Sequence, residues 1–226
     1  MNHKNRNNQL EILTYTLGPA QANAYLVGDP ISQSAVVIDP VWNGDLLLRE
    51  AEKRHWRITY LWLTHAHFDH FGGAAQIADS SSKLIEVALH TDDQPLWRAL
   101  GGASIFGFPE FDPGPEPTIP LVEGMHLQLG DHTFIVHHTP GHTPGHVIFV
   151  LEDQQAVFCG DLIFKQGVGR TDLPGGDWPS LENSIHQHIL TLADEFVLFP
   201  GHGPETTVGD ERIANPFVGK NQNMRS

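Results

Sequence analysis

The sequence predicts an α/β protein, because strands alternate with helices in its first half and short strands follow one another in its second half. Its 226 residues, 40% of them apolar, are enough for one substantial hydrophobic core, so we expect a single domain over residues 1–226. The two ends, residues 1–9 and about 216–226, are expected to be loosely ordered, as chain termini commonly are.

The first half supplies the alternation. Apolar and β-branched runs bounded by turn residues predict strands over residues 11–17, 24–28, 35–38 and 58–63. A helix is predicted over residues 45–56, because Leu47, Leu48 and Ala51 recur at helical spacing and Asn43 lies near its start. A helix over 73–78, a strand over 84–89 and a helix over 92–100 continue the pattern.

A loop over residues 101–117 separates the two halves. It is rich in Pro, Gly and Phe, which makes it irregular but apolar, and we expect it to pack over a cleft. Strands in hairpins are predicted over residues 126–129, 133–138, 147–151 and 156–159. An amphipathic helix over residues 180–192 would bury Leu181, Ile185, Ile189 and Leu192, and a last strand covers residues 196–199. The tail after Thr207 is expected to be loosely held.

Composition excludes several classes of protein. The 13 Lys and Arg against 27 Asp and Glu give a formal charge of −14, which would repel a phosphate backbone, so no nucleic-acid partner is expected. No segment approaches the roughly 20 consecutive apolar residues of a membrane helix, so no membrane partner is expected either. One cysteine, Cys159, excludes an internal disulfide framework and favours the cytoplasm. We interpret Cys159 itself as a small buried apolar side chain.

Histidine is unusually frequent, with 15 residues, and three of them lie in the segment THAHFDH at residues 64–70. In an extended segment His65 and His67 project to one side, whereas the turn through Asp69 and His70 directs those two elsewhere. Imidazole nitrogen and carboxylate oxygen are ligands of zinc and its first-row neighbours. One short loop can therefore serve two metal ions, although four donors do not complete two sites.

Further donors follow other predicted strands, each beside glycine. TPGHTPGH supplies His142 and His146, CGD supplies Asp161, and FPGHG supplies His202. Glycine lets the backbone pass close to a crowded centre. Because several strand ends that converge commonly build an active site, we expect these residues to form one metal centre.

The order THAHFDH, GHTPGH, GD and PGHG over residues 64–203 resembles the metal motifs of the metallo-β-lactamase-fold hydrolases. This resemblance implies a four-layer αββα sandwich, with two mixed sheets face to face and helices outside. It also implies two divalent metal ions, with zinc favoured and iron or manganese suited to the same donors. The implied ligands are His65, His67 and His142 for one ion, Asp69, His70 and His202 for the other, and Asp161 as the bridge, with His146 behind them.

Within that superfamily the chain most resembles glyoxalase II, the hydroxyacylglutathione hydrolases, and in particular their short single-domain bacterial relatives. The resemblance rests on FGFP at Phe106, VGRTDLPGGD at Val168, GHGPET at Gly201 and NPF at Asn215. It implies hydrolysis of a small-molecule thioester, S-lactoylglutathione or a related hydroxyacyl-glutathione, by a metal-bridging hydroxide that Asp69 orients as catalytic residue. Full glyoxalase II enzymes carry a helical C-terminal domain that contacts glutathione, and only a short tail follows Gly203 here, which leaves the thiol open.

Two alternatives remain open. A persulfide dioxygenase of the same superfamily would hold one iron through His65, His142 and Asp161, although His202 would then complete a second site that it does not need. A metal-binding module without turnover is the other alternative. Metal content, oxygen uptake on glutathione persulfide and thioester hydrolysis distinguish the three.

Other residues are assigned smaller roles. Arg170, in a glycine-bounded loop with Asp172, would orient ligand loops or contact an anionic substrate, and structural support is the favoured role. Phe106 and Phe108 are candidates for substrate contact, and with Trp97 they would line the cleft or serve in simple packing, which is the commoner role of such aromatics. Adjacent strand residues face opposite sides, so at most one of His137 and His138 can approach the site. We interpret both as lying outside it, like His186 and His188, and the oligomeric state is not predicted.

Overall fold

The computed structural model describes residues 9–80, 84–108 and 110–220, which form two six-stranded mixed sheets. The first sheet has the order β1-β2-β3-β4-β5-β6, antiparallel from β1 to β3 and parallel from β3 to β6. Its strands are β1 (Glu11–Leu17), β2 (Ala22–Asp29), β3 (Ser34–Ile38), β4 (Arg57–Trp62), β5 (Glu86–His90) and β6 (Ile119–Leu121).

The second sheet is built from the second half of the chain. Its strands are β7 (His126–Leu129), β8 (His132–His138), β9 (Val147–Leu151), β10 (Ala156–Gly160), β13 (Val197–Pro200) and β14 (Thr206–Thr207), in the order β14-β13-β10-β9-β8-β7. Only the β10–β13 pair is parallel. A small hairpin of β11 (Ile163–Phe164) and β12 (Gly167–Val168) follows β10.

Helices cover the outer faces of both sheets. They are α1 (Gly44–Lys53), α2 (Phe68–Phe71), α3 (Ala74–Ser80), α4 (Gln94–Arg98), α5 (Trp178–His188) and α6 (Val208–Ala214), with short 3-10 helices at Thr91–Asp93, Leu100–Phe106 and Glu152–Gln154. None of the helices in the described ranges has the length and apolar character that crossing a bilayer requires.

Three apolar layers hold these elements together. Between the sheets Trp62 packs edge-to-face on Phe134, with ring centroids 5.0 Å apart. Leu47 of α1 lies in the layer outside the first sheet, and Leu181 and Ile185 of α5 lie in the layer outside the second. Burying apolar side chains in this way is the main favourable contribution to folding. The predicted four-layer αββα sandwich is confirmed.

Several predicted helix ends are wrong. The helix predicted over residues 45–56 ends at Lys53, because His55 takes a left-handed φ of 58° and turns the chain. The helix predicted over residues 180–192 begins instead at Trp178, where the Asp177 carboxylate accepts from the Ser180 N–H, and it ends at His188. The helix predicted over 92–100 is a 3-10 turn followed by α4 alone.

The tail after Thr207 is not loosely held, so that expectation is wrong. The Thr207 hydroxyl accepts from the Asp210 N–H and caps α6, whose Val208 and Glu211 are buried. Val218 is buried beyond the helix, against the expectation for residues from about 216 onward. Residues 221–226 and 1–8 lie outside the described residues, and Gln9 is exposed.

Candidate metal centre

The motif residues meet where β4, β8, β10 and β13 end. One donor atom from each of His65, His67 and His142 lies within 4.8 Å of the others, and the same holds for Asp69, His70 and His202. The Nδ1 of His67 is 2.8 Å from Nε2 of His142, and Nε2 of His202 is 3.3 Å from Oδ2 of Asp69. The structure therefore brings all six residues into one site as two neighbouring triads.

Asp161 lies between the two triads. Its Oδ2 is 3.5 Å from Nε2 of His142 and 3.7 Å from Nε2 of His202, and its Oδ1 is 3.4 Å from Nε2 of His70. One carboxylate thus faces both groups of imidazoles, as a bridging ligand must.

Three atoms of the site are buried without a hydrogen-bond partner among the described residues. They are Nε2 of His65, Nε2 of His70 and Oδ1 of Asp161. A buried polar atom left without a partner costs about 1–3 kcal/mol, so three at one place need another role. Lone pairs of imidazole and carboxylate suit divalent first-row metals, and the donor set therefore fits two such ions. The assignment of individual ligands to each ion stays a prediction.

The two triads differ in their electrostatics. Burial and the nearby His142 lower the pKa of His67 to about 3, so its ring is neutral at pH 7 and can donate a lone pair. Burial would also lower the pKa of His70, but the carboxylates of Asp161 and Asp69 raise it to about 10. The half of the site around His70 therefore attracts positive charge.

Asp39, which the sequence analysis missed, orients two residues of the THAHFDH loop. Its Oδ1 accepts from the Thr64 N–H at 2.7 Å, and its Oδ2 accepts from the Thr64 hydroxyl at 2.7 Å and lies 2.9 Å from Nδ1 of His70. A carboxylate on the far nitrogen of a histidine fixes the ring so that its other nitrogen faces the site. The sequence signal that could have identified Asp39 is its position directly after the apolar strand β3, the same kind of position that the predicted ligands occupy.

Asp93 was also missed, and it joins two ligand loops. It is fully buried, its Oδ2 accepts from the Ala66 N–H at 2.9 Å and the Thr143 hydroxyl at 2.8 Å, and its Oδ1 accepts from the Gly145 N–H at 2.7 Å. Ala66 lies between His65 and His67, and Thr143 follows His142. One side chain thus sets the distance between the two loops.

Glycine and a further histidine complete the support of Asp161. A Cβ on Gly201 would lie 2.1 Å from Oδ1 of Asp161, so only glycine lets the loop after β13 pass so close. His146 accepts from the Asp161 N–H at 3.1 Å through Nε2, and its Nδ1 lies 2.9 Å from the Thr139 hydroxyl oxygen. Because both nitrogens of His146 are engaged, its place is behind the ligands.

A cleft of about 480 Å³ opens beside the triads. Phe106 and Phe108 of the 101–117 loop line it, together with Phe68 and Phe164, so this loop does reach the site. Phe68 packs on Phe108 with ring centroids 4.7 Å apart. Trp97 does not line the cleft, and its indole packs in the layer outside the first sheet, which is the simple packing favoured for it.

Arg170 lines the cleft and supports a ligand at the same time. Its backbone carbonyl accepts from Nδ1 of His142 at 2.8 Å. Its guanidinium makes two hydrogen bonds to Asp172, at 2.7 and 2.8 Å, and lies 5.9 Å from the Phe106 ring centroid. The guanidinium therefore lies at the cleft wall in a solvent-exposed ion pair.

The NPF segment acts at a distance from the metal ligands. Asn215 donates to the Gly167 carbonyl at 3.0 Å, and the buried Glu211 accepts from the Gln166 N–H at 2.9 Å. These bonds fix the turn between β11 and β12, and the hairpin carries Phe164 and Val168 to the cleft.

Comparison with known proteins agrees with this arrangement. A family model described as "Metallo-beta-lactamase superfamily" matches residues 17–202 of the chain. Hydroxyacylglutathione hydrolase GloC of Haemophilus influenzae is 36% identical over 200 residues, covering 88% of this chain and 93% of that protein. The crystal structure of BLEG-1 B3 metallo-beta-lactamase has a TM-score of 0.86 at 37% identity, covering 92% of this chain and 99% of that one. The crystal structure of TTHA1623 in a di-iron-bound form has a TM-score of 0.82 at 40% identity, and the match covers 91% of this chain and 100% of that one.

Proposed function

The chain belongs to the metallo-beta-lactamase superfamily and is a metallo-hydrolase, and from this premise we propose that it hydrolyses a thioester, S-lactoylglutathione or a related hydroxyacyl-glutathione. The observation that carries the proposal is the position of the Asp161 carboxylate, 3.4 to 3.7 Å from ring nitrogens of His70, His142 and His202. The similarity to hydroxyacylglutathione hydrolase GloC supports the substrate class.

The chain's own residues would hold two divalent ions. His65, His67 and His142 would bind one, Asp69, His70 and His202 the other, and Asp161 both. Such a pair supplies a water with a pKa lowered toward about 7 and positive charge for a developing oxyanion. The donors suit zinc, and the di-iron form of TTHA1623 supports iron as a second choice.

Asp69 is the residue that we propose for proton transfer. Its side chain is 13% exposed and lines the cleft, so its carboxylate faces both the candidate metal centre and the space for a substrate. Burial would raise the pKa of Asp69, but His70 and His202 lower it below its ordinary value, so the carboxylate is ionised at pH 7 and can orient a water by accepting its hydrogen bond. A thiol, with an ordinary pKa of about 8.5, can leave as thiolate and does not need a strong acid.

The cleft offers an apolar surface that can orient a substrate. Phe68, Phe106 and Phe108 offer an apolar wall for the arms of the substrate. Arg170, the cationic side chain of that wall, is already paired with Asp172. We therefore propose that apolar contact orients the thioester while the polar residues at the base of the cleft act on its carbonyl group.

The test is release of thiol from S-lactoylglutathione by the metal-replete protein, with metal content measured on the same sample. Asp69→Asn should lower kcat by about 10²-fold to 10⁴-fold, the usual contribution of a positioned base. Asp131→Asn is the matched control, because Asp131 is exposed in the turn between β7 and β8. A protein that holds metal but cleaves no thioester would contradict the proposal.

A β-lactam is the second substrate class to assay, because a solved structure at 37% identity is named a B3 metallo-beta-lactamase. An amine leaves less readily than a thiolate, so we expect thioesters to be the better substrates. The dioxygenase alternative needs one iron, and the triad of Asp69, His70 and His202 supports a second ion instead. Oxygen uptake on glutathione persulfide would favour the dioxygenase.

A further inference from the structure

A second group of ligand-type side chains lies outside the metal centre. It consists of Glu123 in the turn before β7, His137 in β8 and His188 at the end of α5, and one donor atom of each lies within 4.8 Å of the others. The rings of His137 and His188 have centroids 4.9 Å apart, and Nδ1 of His137 is 2.8 Å from Oε1 of Glu123. Residues that are distant in sequence therefore meet at one partly exposed place.

The chemistry of the three side chains is complementary. Nδ1 of His137 and Oε1 of Glu123 lie 2.8 Å apart, so a divalent ion can replace the proton between them and take a lone pair from each, while the other Glu123 oxygen accepts from the His138 N–H at 2.6 Å. Burial and then the neighbouring His137 lower the pKa of His188, so its ring is neutral at pH 7. Two imidazoles and a carboxylate form a donor set that zinc uses in proteins, with a position left for water.

Another cluster, formed by His90, Asp92 and His138, does not offer such donors. The His90 and His138 rings are stacked with centroids 4.1 Å apart and planes inclined by only 8°, so their in-plane lone pairs run parallel and do not converge. Nε2 of His138 lies 2.9 Å from the Pro144 carbonyl oxygen, and Nδ1 of His90 accepts from the Asp92 N–H. One nitrogen of each ring is therefore already engaged by the backbone.

We propose that Glu123, His137 and His188 bind a divalent transition-metal ion, Zn²⁺ by preference, at a site separate from the metal centre. The ion ties the end of α5 to β8. Helix α5 also supports the loop that carries His142, because the Ser184 hydroxyl donates to the Pro140 carbonyl at 2.8 Å. Binding at the outer site therefore stiffens the support of a ligand loop without touching the ligands.

The test compares zinc content among variants of the full chain. Each protein is saturated with Zn²⁺, freed of loose metal by gel filtration and analysed for zinc per chain. His188→Gln and His137→Gln should each carry one zinc fewer than the wild-type protein. His186→Gln is the matched control, because His186 is an exposed residue of the same helix and should leave the zinc content unchanged.

Thermal unfolding gives a second readout that does not depend on activity. With the metal centre filled, Zn²⁺ at a hundred times the dissociation constant of the outer site should raise the Tm of the wild-type protein by about 5–10 °C. The same addition should leave the Tm of His188→Gln unchanged. Equal zinc content in the wild-type, His137→Gln and His188→Gln proteins, or a loss in His186→Gln as well, would overturn the proposal.

Discussion

Replacing Asp93 by Asn tests whether one buried carboxylate sets the distance between two ligand loops. Asp93 accepts hydrogen bonds from Ala66 on the THAHFDH loop and from Thr143 and Gly145 on the His142 loop. An asparagine side chain has the same shape as aspartate but only one acceptor oxygen. Its NH₂ group would replace the other oxygen and would place a donor against a buried backbone or hydroxyl donor.

The magnitude follows from these contacts. If the Asn oxygen keeps the bonds of Oδ2 to Ala66 and Thr143, the Gly145 N–H loses its acceptor. A hydrogen bond to a charged group contributes about 1.5–3 kcal/mol, and a buried donor left unpaired costs about 1–3 kcal/mol. We therefore expect a loss of about 2–4 kcal/mol in the free energy of unfolding. For a chain of this size the Tm falls by about 5–15 °C.

The assay is thermal unfolding together with a chelator competition for the bound metal. Loss of a residue that orients ligands commonly weakens metal binding about 10-fold to 100-fold, and Asp93→Asn should fall in that range. Asp92→Asn is the matched control, because its side chain is 58% exposed, and it should change stability by less than about 0.5 kcal/mol. If Asp93→Asn unfolds and binds metal like Asp92→Asn, the role given to Asp93 is refuted.

Three further predictions concern pH, the cleft and the backbone near Asp161. The pKa of His67, lowered by burial and His142 to about 3, lies below its unfolded value, so the contribution of His67 to the stability of the metal-free protein is lost as pH falls from about 6.5 toward 3. The urea midpoint should fall between pH 7 and pH 5, and it should fall less in His67→Gln than in the wild-type protein. An equal change in midpoint in the two proteins would contradict the role given to His67. Phe106→Ala should raise KM for a thioester about 3-fold to 10-fold, because apolar contact with the substrate is lost. Ile105→Ala is the control, because Ile105 is exposed next to Phe106 and does not line the cleft, and its KM should not change. Equal KM values in the two variants would show that Phe106 does not contact the substrate. Gly201→Ala should lower the metal content, because the new Cβ would overlap Oδ1 of Asp161. Gly167→Ala is the control, because a Cβ there meets no atom nearer than 3.6 Å. Full metal content in Gly201→Ala would contradict the crowding argument.

The residues that meet in the candidate metal centre could be identified from the sequence because their types and local spacing are unusual. His65, His67, Asp69 and His70 lie within one short segment, where donors so close together have few structural explanations. The ligand set also needed more donors, which directed attention to the other strand ends. The pairing of donors across the fold came from a resemblance and not from spacing alone.

The supporting residues could not be predicted in the same way. Asp39 is 25 residues from Thr64, and Asp93 is 50 residues from Thr143, so no local pattern records either contact. A single aspartate after a strand is common and indicates no specific role. The same applies to Glu211, whose contacts with Gln166 become visible only when α6 is in place.

Three strands with clear turn residues at their ends were predicted well. Predictions for residues 11–17, 126–129 and 147–151 agree with β1, β7 and β9 at both ends. The two-residue strands β11, β12 and β14 are too short to show a period, and tertiary hydrogen bonds hold them. The end of α1 depends on the left-handed φ of His55, which composition does not reveal.

Anomalous diffraction from crystals of the metal-loaded protein tests most directly whether seven side chains hold a pair of cations. We predict two peaks about 3.5–4 Å apart. One should lie among His65, His67 and His142, the other among Asp69, His70 and His202, and Asp161 should contact both. A single peak, or two peaks away from these residues, would contradict the account.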